Sequence, residues 1–174
     1  MYIGDWLARR EMLTPDKVAL VDTLHASRPI TYREWNRSAN RTANFLRDGL
    51  GVRKGDRVAV LAMNCVEYLD VWFALSKLGA VLQNLNWRLT PRELTELTRD
   101  AAPKALIYGG DFALQVNEMR PHLPDVQHVV ALDDKAAGDD LPFSQRGSFV
   151  DAPPSEVTLD WDDPWVICYT GGTT

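Results

Sequence analysis

The sequence contains few of the side chains that build disulfides and metal sites: two cysteines and three histidines among 174 residues. Cys65 and Cys168 lie far apart, each within an apolar stretch, and neither belongs to a Cys-x-x-Cys motif. We therefore interpret them as two buried free thiols. The histidines also lack metal-ligand spacing, and we expect His25, His122 and His128 to lie at the surface. No metal ligand is predicted.

Basic residues and long apolar runs are scarce as well. Lysine and arginine total 19 against 24 acidic residues, which gives a net charge of −5. This balance argues against a general nucleic-acid binder but not against a nucleotide held at a local site. No stretch approaches the roughly 18 apolar residues of a transmembrane helix, and residues 1–12 lack the apolar region of a secretory signal. The expected location is cytoplasmic, with no nucleic-acid partner and no transmembrane segment.

Helical and extended patterns alternate from residue 31 to residue 132, with short connections between them. This alternation predicts a layered α/β fold with a mostly parallel sheet and flanking helices. The predicted helices cover 31–49, 64–79, 90–101 and 111–120, and the predicted strands cover 57–62, 80–85, 104–108 and 127–132. Two helices carry the Thr-x-x-Glu spacing of a capping box, at Thr31 and at Thr90.

The two ends of the chain depart from this alternation. Residues 3–13 predict an amphipathic helix, followed by a hairpin of strands at 17–22 and 29–31. The apolar side of that helix is expected to contain Ile3, Trp6, Leu7 and Met12 or Leu13. Residues 133–164 are rich in Asp, Pro, Gly and Ser, which predicts a long surface excursion before a last strand at 165–169.

The most informative segment follows that last strand and consists of small and hydroxylic residues: Thr170, Gly171, Gly172, Thr173 and Thr174. Glycine lets backbone N–H groups converge on an anion, and threonine adds hydroxyl donors. The segment suits a phosphate-binding turn, although polar turns of this composition are also common without a ligand. A Walker-type loop would need a later Gly-Lys pair, and the sequence ends before such a lysine could appear, so spacing alone does not exclude one.

Three other segments are weaker candidates. Residues 49–55 have glycines near the spacing of a dinucleotide fingerprint, but they follow a helix, so a helix end and turn is the better interpretation. Arg88 could hold an anion at the carboxyl end of a strand, or brace its loop against a carboxylate. The acidic pairs at 133–134 and 139–140 could bind a hard cation, but a solvated loop is favoured.

Several segments together resemble the adenylate-forming enzymes, which include acyl-CoA synthetases, aryl-CoA ligases, luciferases and peptide-synthetase adenylation domains. The matching residues are 30–35, 55–60 with Asn64 and Glu67, 77–81, 84–94 and 169–174. The Leu-Asn-x-Arg-Leu segment at 85–89 is similar to the acyl-CoA synthetase branch. Gly171 stands where the family usually has serine, and Gln83 where it often has proline.

The resemblance implies the N-terminal portion of the large domain of an acyl-CoA synthetase, with residues 1–174 forming an incomplete domain. Such an enzyme joins ATP and a carboxylic acid, with fatty acid expected here, to give acyl-AMP and then acyl-CoA, using Mg²⁺ and coenzyme A. Residues 170–174 would cradle the ATP phosphates, and their donors would stabilise the departing pyrophosphate. Catalytic and metal-binding residues of the family are expected outside this chain, so we expect the isolated chain to be inactive.

Two alternatives remain open from sequence. An aryl-CoA ligase or a fatty-acyl-AMP ligase of the same family would share these segments. A non-catalytic fragment that acts as a binding or assembly module belongs to a different class. The strand at 165–169 is apolar on both faces, so leaving one side of the sheet uncovered would favour self-association, and a homo-oligomer is a further expectation.

Overall fold

A six-stranded sheet, in which every pair of neighbouring strands is parallel, forms the centre of the computed structural model. The structure describes residues 5–133, 138–154 and 157–170. The strand order is β7-β6-β5-β3-β4-β8, and β1 and β2 form a separate antiparallel hairpin. The predicted layered α/β architecture is therefore confirmed.

The strands and helices keep the order in which the sequence predicts them. The strands are β1 Val18–Asp22, β2 Arg28–Thr31, β3 Arg57–Leu61, β4 Val81–Asn84, β5 Ala105–Tyr108, β6 His128–Ala131, β7 Leu141–Pro142 and β8 Val166–Cys168. The helices are α1 Trp6–Leu13, α2 Tyr32–Asn44, α3 Val66–Leu78, α4 Pro91–Ala101 and α5 Ala113–Met119. None of the helices in the described ranges has both the length and the apolar composition that a bilayer crossing requires.

Alternate residues of the central strands supply two separate cores, one on each face of the sheet. On one face, Val58 and Val60 pack with α2, α3 and the short π-helix Phe45–Gly49. On the other face, Ala59 and Leu61 pack with α4 and α5. Burial on both faces explains why these strands read as nearly continuous apolar runs.

Helix α1 differs from its predicted amphipathic pattern. Leu7 is buried, but Trp6, Met12 and Leu13 are more than half exposed, and Ile3 lies outside the described residues. The reason is that α1 rests on a small third core containing Ile30, Trp35 and Ala39, which accommodates one large side chain from this short helix. Of the residues expected on the apolar side of α1, Leu7 is therefore buried, whereas Trp6, Met12 and Leu13 are not.

Both predicted capping boxes are present. Thr31 and Thr90 each accept a hydrogen bond from the backbone N–H three residues later, and Glu34 and Glu93 each accept from the N-cap backbone N–H. These contacts satisfy N–H groups that the first helical turn otherwise leaves unpaired. The glycines at 49–55 end the preceding helix and form a turn, as predicted, with Gly51 at a φ of +67°.

We expect Thr90→Ala to lower the free energy of unfolding by about 1 kcal/mol, because the side chain that accepts from Glu93 N–H is lost. Urea denaturation at neutral pH measures the change. Arg92→Ala is the matched control on the same helical turn, since its exposed pair with Glu96 contributes at most about 0.5 kcal/mol. Equal losses in the two variants would contradict a capping role for Thr90.

The segment 133–164 is more integrated than the long surface excursion that its composition predicts. Leu141 and Pro142 add strand β7 to the sheet, and a 3₁₀-helix follows at Phe143–Ser148. Phe143 is buried against Phe45, with ring centroids 6.2 Å apart. Arg146 reaches from the same turn to the buried carboxylate of Asp70 in α3. This part of the segment therefore belongs to the core beside α2 and α3.

Candidate functional site

The candidate site lies at the carboxyl edge of the sheet, where all the parallel strands end together. Ligands of open α/β sheets bind at this edge. Asn84 at the end of β4 pairs in register with Val60 of β3 on one side and Cys168 of β8 on the other. Thr170 follows two residues after β8 and is exposed. The other predicted phosphate-binding residues lie outside the described residues: Gly171, Gly172, Thr173 and Thr174.

Strand β8, which leads to Thr170, lies at one edge of the described sheet and pairs only with β4 there. Its beginning is fixed by Trp165, whose indole N–H donates to the Trp72 carbonyl at 3.2 Å. Val166 packs against the core on the α3 side and is half-buried. Thr170, the first residue of the candidate phosphate segment, therefore follows a short strand that has one partner in the part of the sheet that the structure describes.

Tyr169, between β8 and Thr170, contacts the helix on the opposite face. Its hydroxyl donates to Asp100 Oδ2 of α4 at 2.5 Å. Partial burial and the neighbouring Asp100 carboxylate raise the pKa of Tyr169 to about 12, so the phenol stays protonated and remains the donor at neutral pH. Helix α4 is itself held to β4, because the buried Gln83 side-chain amide donates to the Leu97 carbonyl at 2.8 Å.

A second polar group lies on the α3 side of the same edge. The Tyr68 hydroxyl donates to Asn84 Oδ1 at 2.9 Å, and burial raises the pKa of Tyr68 to about 12. Cys65 caps α3 with its sulfur as the acceptor from Tyr68 N–H, and burial raises the pKa of this thiol to about 11. A thiol with so high a pKa is a poor nucleophile at neutral pH.

Both cysteines are free thiols, as predicted, but their predicted burial is wrong. Cys65 is half-buried and Cys168 is exposed. The cause is their position at helix and strand ends on the carboxyl edge of the sheet, where apolar stretches emerge from the core. The exposed Cys168 is three residues from the predicted phosphate-binding glycines, so thiol reagents have access close to the candidate site.

Two of the weaker sequence candidates, Arg88 and Asp140, contact other side chains of the fold. The Arg88 guanidinium lies over the Trp87 ring at 4.1 Å, and no carboxylate in the described ranges forms an ion pair with it. The carboxylate brace is not present in that part of the chain, and the contact of Arg88 with an anion stays a prediction. Asp140 is buried and pairs with Arg120 at 2.8 Å while accepting from the Tyr108 hydroxyl at 2.8 Å. The solvated-loop interpretation is therefore wrong for Asp140.

The donor chemistry of the predicted phosphate-binding residues suits an anion rather than a cation. Threonine hydroxyls and glycine N–H groups are donors that phosphate oxygens accept, whereas Mg²⁺ prefers carboxylate oxygens and water. Within the residues that the structure describes, no group of three His, Cys, Asp or Glu side chains could hold a metal ion. As a set of donors, the predicted residues suit phosphate oxygens, and their binding of a nucleotide stays a prediction.

Sequence patterns did not reveal the Tyr169–Asp100 and Tyr68–Asn84 contacts. Tyr169 and Asp100 are 69 residues apart, and Tyr68 and Asn84 are 16 apart. A tyrosine beside an apolar run resembles a core residue, and an aspartate on an exposed helical face resembles a solvated charge. The one available signal was the predicted parallel sheet, which implies that the ends of β4 and β8 share an edge.

Known proteins resemble the chain along almost its whole length. The sequence model of the family described as AMP-binding enzyme matches residues 7–174. The long-chain-fatty-acid–CoA ligase FadD13 of Mycobacterium tuberculosis is 35% identical over 172 residues, 99% of this chain and 33% of that protein. A feruloyl-CoA synthase of an Amycolatopsis species is 34% identical over 174 residues, 99% of this chain and 31% of that protein.

A solved structure with similar chain geometry is that of the anthranilate CoA ligase AuaEII in complex with anthranoyl-AMP. Its TM-score is 0.91 at 28% identity, over 98% of this chain and 32% of that one. The chain spans about a third of the length of the curated relatives it matches.

Proposed function

The chain belongs to the AMP-binding enzyme family, and from this membership we propose that the protein containing it is an acyl-CoA synthetase. It would join ATP and a carboxylic acid to give acyl-AMP and pyrophosphate, and then transfer the acyl group to the thiol of coenzyme A. The observation that carries this proposal is the family match through residue 174, which includes the Thr/Gly segment after β8. The position of Thr170, the first residue of that segment, after β8 at the carboxyl edge of the sheet supports it.

Fatty acid is the substrate class we favour. The support is the Leu-Asn-Trp-Arg-Leu segment at 85–89 and the similarity to a long-chain-fatty-acid–CoA ligase. Feruloyl-CoA synthase has nearly the same identity, and an anthranilate CoA ligase has a similar chain geometry. An aryl acid is therefore the second candidate. A fatty-acyl-AMP ligase of the same family is a third.

In this proposal, the chain contributes phosphate binding. Thr170, Gly171, Gly172, Thr173 and Thr174 would donate hydrogen bonds to the β- and γ-phosphates of ATP. These donors would be fixed before the reaction, so charge that develops on the leaving pyrophosphate is stabilised without reorganisation of solvent. When bound, Mg²⁺ supplies further charge neutralisation. We propose a cytoplasmic location as well, in keeping with the composition.

The test is acid-dependent ATP–pyrophosphate exchange by the complete protein that contains this chain. We expect exchange with long-chain fatty acids to exceed exchange with ferulate or anthranilate. Thr170→Val should lower the rate about 100-fold, because one donor to the departing phosphates is lost. Thr158→Val, an exposed threonine before β8, is the matched control and should leave the rate unchanged. Absence of exchange with every acid would overturn the proposed function.

An assay of acyl-CoA formation, with ATP, Mg²⁺, fatty acid and coenzyme A supplied, tests the isolated chain. We propose that residues 1–174 alone form no acyl-CoA, since the chain spans about a third of its relatives. Acyl-CoA formation by the isolated chain would contradict this. The alternative of a non-catalytic binding or assembly module predicts no exchange by any form of the protein. The homo-oligomer is a separate proposal that is compatible with either function. Light scattering of the purified chain reports whether it self-associates, and a clean monomer would contradict the homo-oligomer.

A further inference from the structure

The residue after β8 is attached to the sheet differently from the residues after the neighbouring strands. Leu85, Gly109 and Leu132 directly follow β4, β5 and β6, and each donates its backbone N–H to the adjacent strand at 2.8–3.0 Å. Within the described ranges, no such backbone bond is present at Tyr169. The Tyr169 side chain instead donates to Asp100, which attaches the residue after the strand to α4.

A carboxylate at the position of Asp100 does not stabilise helix α4. It lies in the last turn of α4, where the partial negative charge of the helix end disfavours a carboxylate. Within the described residues, Asp100 forms no ion pair, and its hydrogen-bond partner is the Tyr169 hydroxyl. A neutral phenol that donates to a carboxylate gives a stronger bond than one between two neutral groups. The Asp100 carboxylate therefore lowers the stability of α4 slightly, and its hydrogen bond fixes the Tyr169 side chain.

We propose that the Tyr169–Asp100 hydrogen bond is a positioning contact for the nucleotide. It holds the residue before Thr170 against α4, so that the chain leaves the sheet in one direction at Thr170, with the donors of Thr170 oriented for phosphate. This inference rests on the proposed function. Tyr169 and Asp100 act through the backbone of Thr170, and neither is proposed to touch the substrate. The buried amide of Gln83 supports the arrangement by holding α4 to β4.

The experiment is a double-mutant cycle in the complete protein, read out by the steady-state constants of ATP–pyrophosphate exchange. Tyr169→Phe and Asp100→Leu should each raise the KM for ATP about 10-fold, because each removes the same charge-assisted hydrogen bond. The double variant should be no worse than either single variant, as expected for two residues that form one contact. The KM for the carboxylic acid should stay unchanged.

Two matched variants separate positioning from general loss of structure. Asp100→Asn keeps an oxygen that accepts from the phenol, so it should restore most of the ATP affinity. Glu96→Gln changes a carboxylate one turn earlier on α4, in an exposed pair with Arg92, and should leave the KM for ATP unchanged. Thermal unfolding midpoints of all the variants show whether any of them loses stability.

The possible outcomes distinguish this inference from the function on which it rests. Coupled effects confined to the KM for ATP support the positioning role. Additive effects, or an equal rise in the KM for the acid, in a protein that still catalyses exchange would overturn the positioning role alone. A wild-type protein that catalyses no exchange with any acid would overturn the proposed function and the positioning role together.

Discussion

Replacing Arg146 by methionine is expected to lower the free energy of unfolding by about 3–5 kcal/mol, because the variant leaves a buried carboxylate without its cation. Arg146 Nη1 lies 2.5 Å from Asp70 Oδ2, and the Asp70 side chain is fully buried. The Ser38 hydroxyl donates to the same carboxylate oxygen at 2.7 Å. Burial raises the pKa of Asp70 even with Arg146 present. Urea denaturation at pH 7 measures the loss.

The pH dependence of that loss identifies its cause. Without Arg146, the pKa of Asp70 in the folded state rises further above its unfolded value, so the folded state binds the extra proton. The stability of Arg146→Met should therefore fall as the pH rises between these two pKa values, and its deficit should shrink in acid. Adding Asp70→Leu to Arg146→Met should recover most of the loss at pH 7. A deficit that is the same at every pH would contradict an electrostatic origin.

The layered fold was predictable because two kinds of signal indicate the same elements along the central part of the chain. These signals are the spacing of apolar residues and the capping residues at helix ends. Val58 to Leu61 form a continuous apolar run, as expected for a strand buried on both faces, and the structure buries all four residues. The Thr31 and Thr90 capping boxes fixed the beginnings of two helices to the residue. Local hydrogen bonds and burial alone determine these features, so sequence patterns report them.

The structure of segment 133–164 was less predictable, because its contacts are distant in the sequence. Arg146 pairs with a residue 76 positions earlier, and Asn44 donates to the carbonyls of Val150 and Ala152. Polar composition is the same for a solvated loop and for a loop whose polar groups pair with a buried helix. A similar limit applies to Tyr169, whose partner Asp100 is identified only once β8 is placed beside β4. The Thr/Gly segment itself was identified by composition, and its role stays a prediction.

Lys77 provides the second large expected effect, because it joins α1 to the rest of the fold from a buried position. Its ammonium donates to both carboxylate oxygens of Asp5 at 2.6 and 2.8 Å and to Asn36 Oδ1 at 2.6 Å. Burial lowers the pKa of Lys77, whereas the Asp5 carboxylate opposes this shift. Replacing Lys77 by methionine should cost about 3 kcal/mol, since Asp5 and Asn36 then lose a shared donor in a site with little water. Urea denaturation measures this cost.

The loss should be concentrated in α1, because Asp5 and Leu7 are among the contacts that hold this helix. Amide hydrogen exchange of α1 in Lys77→Met should therefore accelerate more than that of α3, although Lys77 itself belongs to α3. Asp5→Ser keeps a side-chain acceptor for Ala8 N–H but removes the charge, so adding it to Lys77→Met should recover part of the loss. Lys17→Met, at an exposed lysine, is the control and should have little effect. Unchanged protection of α1 in Lys77→Met would show that Leu7 and the α1–α2 packing suffice to hold the helix.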